Sequence, residues 1–126
     1  MDTIRLTTAQ AIVKWLTAQR TVVDGDEVSL FAGAFGIFGH GNVTNLAQAL
    51  EPVQDELPTW RGHNEQGMAL AAVAYAKAMR GQRIMIATSS IGPGCTNMVT
   101  AAAVAHADRL PLLLFSGDTF QHRIVA

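Results

Sequence analysis

Cysteine is nearly missing from this sequence, and charge is scarce. The single cysteine, Cys95, excludes an internal disulfide and a cysteine-built zinc site. Nine basic and ten acidic residues leave a net charge of −1, which gives no electrostatic footprint for nucleic acid or an anionic membrane. MDTIRLTTAQ has no basic run followed by an apolar core, so it is not a signal peptide. The longest apolar-rich stretches contain glycines or charges within a membrane-spanning length, so no transmembrane helix is expected. A reducing cytoplasm is the default compartment. Absent too are a Walker-type Gly-Lys-Ser/Thr loop and a GxSxG elbow, and no histidine stands at helical metal spacing from another ligand.

What is present is apolar. About half of the 126 residues are apolar and 15% are charged, a low share for a soluble domain. That shortfall implies apolar surface covered by a partner subunit or by further chain. Thr7 or Thr8 caps a helix running to about Gln19, and Asp24-Gly25 signals a turn. Val28 to Ala32 reads as a short strand feeding the glycine-dense loop GAFGIFGHGN. Asn42 or Thr44 then caps a helix ending near Leu50, ahead of Pro52. Pro58 to Arg61 reads as extended. An alanine-rich helix over 65–80 stops at Gly81, and its apolar residues run nearly all round, so both faces should be buried. RIMIAT and PLLLF read as strands buried on both faces, with SSIGPG and a helix over 96–106 between them. Unalternating strands separated by helices predict an α/β fold, a parallel sheet with helices on both faces. No helix follows the last strand, so the sheet reads as incomplete at its C-terminal side. Sites in such folds lie where strands end and helices begin, here at 33–43, 61–65 and 89–97.

Several motif readings fail on these loops. Gly39-His40-Gly41 places Thr44, and Gly92-Pro93-Gly94 places Asn97, where a dinucleotide fingerprint needs its third glycine. His106 and His122 read as surface or structural residues, while His40 and His63 fall in predicted site loops. Cys95 has no basic neighbour to activate a thiolate. Glu65 has a plain account as a first-turn acid behind the cap Asn64, worth less than about 1 kcal/mol. The apolar helix behind it argues instead for a carboxylate facing a crevice.

HNEQGMALAAVAYAKAMRG, followed by IATSSIGPGCTNMVTAAAVAHADRLPLLLFSGD, resembles the pyrimidine-binding domain of thiamine-diphosphate enzymes, with matching order and spacing over residues 28–118. The resemblance implies the thiamine-diphosphate-binding fold, with residues 1–126 as its N-terminal pyrimidine-binding domain. It implies that Glu65 exchanges a proton with the cofactor's aminopyrimidine, in general acid–base catalysis where the cofactor does the carbon chemistry. Gly92, Pro93, Gly94 and Asn97 are implied to line the same crevice; an ordinary tight turn before a helix is the competing account of that loop.

Two departures, Asn64 between His63 and Glu65 and Gly39-His40-Gly41-Asn42 in the first loop, resemble a hydrolytic branch that opens a ring between two carbonyls. His40 and Asn42 then become candidates for contacts to the oxygens of a small-molecule substrate. Mg²⁺ and the diphosphate are implied to be held by a C-terminal domain that this sequence lacks, so no metal ligand is assigned here. A site shared between subunits implies a homodimer or homotetramer. A carboligase of the acetolactate synthase type and a non-catalytic α/β module remain alternatives.

Overall fold

The computed structural model describes residues 3–118, and the reading of His122 lies outside them. So does the expectation that no helix follows the last strand. Helix α1, Thr8–Thr17, opens with a reciprocal capping box. Thr7 Oγ1 accepts from Gln10 N–H, and the Gln10 side chain accepts from Thr7 N–H. Such caps contribute about 1 kcal/mol. Strands β1, Arg20–Val23, and β2, Asp26–Ser29, form an antiparallel hairpin. Asp24 (φ 52°) and Gly25 (φ 97°) make its two-residue turn, the left-handed pair that matches strand twist. The turn was legible, but the strands flanking it were not.

The main sheet holds β3, Phe31–Ile37, β4, Thr59–Arg61, β5, Ile84–Ser89, and β6, Leu113–Ser116. Its order is β4-β3-β5-β6, and every pairing is parallel. Alternate side chains feed two cores. Ile84 and Ile86 of β5 pack with Val13, Leu16, Leu46 and Leu50 from one side. Ala87 packs with Met68, Val73, Met98 and Ala101 from the other. Helices therefore cover both faces, as the buried strands predicted.

Four expectations change. GAFGI belongs to β3 rather than to a loop, because its glycines are packing positions. A Cβ on Gly33 would collide with the Trp60 ring and approach Pro58 O to 2.7 Å, and one on Gly36 would come within 2.6 Å of Phe38 Cζ. The following helical stretch starts earlier than Asn42. It comprises α2, Gly39–Asn42, a π-helical turn, Val43–Ala47, and α3, Gln48–Leu50. Helix α4, Glu65–Ala78, buries Met68, Ala69, Ala72, Val73 and Ala76. Ala71, Ala74 and Ala78 are exposed, so one face is buried in this chain rather than both. The next helical stretch divides at Met98 into α5, Pro93–Asn97, and α6, Val99–Ala107.

Strand register brings Arg61, Ile37, Ser89 and Ser116 to one edge of the sheet. The loops that follow them converge there.

Candidate functional site

Asn64 is the N-cap of α4, and its Oδ1 accepts from Gly67 N–H at 2.9 Å. Capping is thus done by Asn64, and the carboxylate of Glu65 is left for another partner. That partner is Asn97, the last residue of α5, whose Nδ2 donates to Glu65 Oε2 at 2.8 Å. Hydrogen bonds to charged groups contribute about 1.5–3 kcal/mol, less where water competes as it does beside this half-buried group. Among the described residues no donor reaches Oε1. Oε1 lies instead 3.2 Å from where a Cβ on Gly94 would stand.

Glu65, Pro93, Gly94, Thr96 and Asn97 line an open cleft of about 510 Å³. Gly92, at φ 61°, turns the chain into α5 in a left-handed conformation that favours glycine. Of the predicted residues, Glu65, Pro93, Gly94 and Asn97 thus meet in one cleft, with Gly92 at its entry turn. Thr96 was not singled out from sequence, and its Oγ1 donates to Gly92 O at 2.7 Å.

His40 lies elsewhere, lining a cavity of about 370 Å³ with Phe38, Gly39, Arg61 and Gly62 at the ends of β3 and β4. Asn42 lines neither of these but a third cavity of about 640 Å³, between α1 and the end of β6 with Ile12, Phe115 and Ser116; its Nδ2 donates to Thr88 Oγ1 at 3.0 Å and to Ser89 O at 2.7 Å. His63 and His106 are exposed. Among the described residues no group of three His, Cys, Asp or Glu side chains is placed to hold a metal. No helix among them is long and apolar enough to cross a membrane.

Residues 28–125 match the family described as thiamine pyrophosphate enzyme, N-terminal TPP binding domain. The chain is 55% identical over 123 residues to the 3D-(3,5/4)-trihydroxycyclohexane-1,2-dione hydrolase of Geobacillus thermodenitrificans (strain NG80-2). It is 52% identical over 123 residues to the protein of the same name from Clostridium tetani (strain Massachusetts / E88). Each comparison covers 98% of this chain and 19% of the relative, so the chain spans about a fifth of the proteins it matches.

Proposed function

The chain belongs to the thiamine pyrophosphate enzymes, as their N-terminal TPP binding domain, and from that premise we propose that it supplies the cofactor-activating half of a hydrolase site. The substrate proposed is the one named for its relatives, 3D-(3,5/4)-trihydroxycyclohexane-1,2-dione. Ring opening by water would give 5-deoxyglucuronate, a step of myo-inositol breakdown.

One observation carries the site. Glu65 is held through Oε2 by Asn97, while Oε1 faces Gly94, where no side chain stands. These residues fit the aminopyrimidine of thiamine diphosphate, which needs a carboxylate oxygen without a competing donor and room for a flat ring. Bound there, thiamine diphosphate supplies the nucleophilic carbon and the electron sink that a carbon–carbon cleavage needs.

The chain's own residues do the rest. Glu65 holds and returns a proton at Oε1, as a general acid–base group. Asn97 fixes the carboxylate's rotamer so that Oε1 stays on the cleft side, and Gly94 leaves the approach open. His40, at the ends of β3 and β4, is proposed to hydrogen-bond a hydroxyl or carbonyl oxygen of the substrate. Mg²⁺ and the diphosphate are proposed to be held by residues outside these 126, on a second copy of the protein in a homodimer or homotetramer.

Full-length protein incubated with the dione, with and without thiamine diphosphate and Mg²⁺, tests this by release of the acid. Cofactor-dependent turnover of the dione is expected. Turnover of pyruvate with none of the dione would replace this reading by a carboligase.

A further inference from the structure

Three glycines meet where the ends of β3, β5 and β6 come together. A Cβ on Gly39 would lie 2.5 Å from Ser90 Oγ, and one on Gly41 would lie 3.2 Å from Ile91 Cγ2 and 3.6 Å from Gly117 Cα. On Gly117 it would lie 3.2 Å from Ile91 Cγ2 and 3.4 Å from Asn42 Oδ1. Asn42 sits inside this junction. Its Nδ2 donates to Thr88 Oγ1 at 3.0 Å and to Ser89 O at 2.7 Å. The same Ser89 carbonyl accepts from Gly117 N–H at 3.0 Å. Thr88 and Ser89 are fully buried, so these acceptors have little access to water and losing a partner is costly.

A side-chain amide has two N–H donors, and both of Asn42's are spent inside the chain. From Ser89 the backbone runs through Ser90 and Ile91 to Gly94, and the Cβ position of Gly94 is 3.7 Å from the Cβ atoms of both Ser89 and Ser90. The junction therefore abuts the wall of the Glu65 cleft. We infer that Asn42 is a positioning residue: its amide clamps α2 to the end of β5 and so holds segment 89–97 where Gly94 and Asn97 meet Glu65. This explains why Gly39-His40-Gly41-Asn42 stands in this loop: two glycines allow the close approach and the asparagine locks it. The functional consequence rests on the proposed role of Glu65, but the mechanical one does not.

The test uses full-length protein with Asn42→Asp, which keeps the shape but turns the donor facing Ser89 O into an acceptor. Thr88→Val and Thr88→Ser form a second pair, removing and retaining the hydroxyl, that decides the matter should Asn42→Asp fail to fold. Amide hydrogen exchange over 89–97 should quicken about tenfold or more in Asn42→Asp and Thr88→Val, with the separate β1–β2 hairpin unchanged and Thr88→Ser close to wild type. Displacement of a positioned group costs up to roughly 100-fold in rate, so kcat and thiamine diphosphate affinity should both fall about tenfold or more while KM for the dione holds. Unchanged exchange over 89–97 would overturn the inference, as would a raised KM with cofactor affinity intact, the mark of direct substrate contact. Failure of wild type to bind thiamine diphosphate would sink the proposed function instead, and the exchange comparison would still decide what Asn42 does.

Discussion

Asn97 donates to Glu65 across 32 residues of sequence, joining the end of α5 to the start of α4. One carboxylate oxygen is thereby committed and the other is left facing Gly94. The two helices meet there because both follow strands of one parallel sheet, β4 and β5, which flank β3 on either side. A first-turn acid serving only the helix dipole needs no such partner. The bond to Asn97 is what separates Glu65 from an ordinary helix-opening glutamate.

Gly94→Ala separates fold from function. The helical gain of alanine over glycine, at most about 0.5–1 kcal/mol, is set against the tight contact with Glu65 Oε1, so stability should change little. The new methyl would stand 3.2 Å from Glu65 Oε1, on the side proposed to receive the aminopyrimidine. Thiamine diphosphate affinity of the full-length protein should fall about tenfold or more, in line with loss of a positioned group. Calorimetric titration alongside thermal unfolding checks both; unchanged affinity would remove Gly94 from the site.

Gly33→Ala should act on the fold instead. Its methyl would meet the Trp60 ring and stand 2.7 Å from Pro58 O, a carbonyl already accepting from Ala34 N–H at 2.8 Å. The half-exposed Trp60 ring can swing aside, but Pro58 O is backbone and yields only by disturbing the β3–β4 pairing. Overpacking of this kind costs typically 1–3 kcal/mol. The urea midpoint of the full-length protein should drop with little change in the slope of the transition.

These two glycines show where the sequence was legible and where it was not. RIMIAT and PLLLF announced buried parallel strands because nothing in them alternates, and Asn64-Glu65 before an alanine run announced a capped helix. Gly33 and Gly36 looked like loop residues, since composition does not tell a glycine that turns the chain from one that admits a neighbouring ring. Asp24-Gly25 announced its turn, but the four-residue strands beside it are too short and too polar to declare a hairpin. Glu65, Gly94 and Asn97 were found through the order and spacing of a whole family pattern. The clamp at Asn42 was invisible, because Thr88 and Ser89 lie 46 and 47 residues away and only the sheet register brings them near.

The proposed division of the site bears on the 126 residues alone. With the diphosphate and Mg²⁺ held elsewhere, they should bind thiamine diphosphate at best very weakly and catalyse nothing. Val99 and Trp60 are 57% and 48% exposed, and the outer face of α4 carries alanines. Such a surface favours two-fold association with α4 at or near the contact. Light scattering should show dimers at high concentration. Micromolar cofactor affinity, or a strict monomer, would count against this arrangement.

Glu65→Gln in the full-length enzyme is the decisive substitution. The amide keeps the volume of the carboxylate and still offers Asn97 an oxygen to donate to, so the contact between α4 and α5 should persist. Stability should fall by no more than about 1–2 kcal/mol, from the first-turn acid and from the charge lost to the bond with Asn97. What the amide loses is the capacity to hold and return a proton. General acid–base groups contribute typically 10²–10⁴-fold, so turnover should fall by roughly that factor. Exchange of the C2 proton of bound thiamine diphosphate should slow in parallel, because it reports the same proton movement without substrate. Both are measured at saturating cofactor in wild type and variant, so that weakened binding is not mistaken for lost chemistry. Equal exchange rates would leave Glu65 a structural residue that opens α4 and ties it to Asn97.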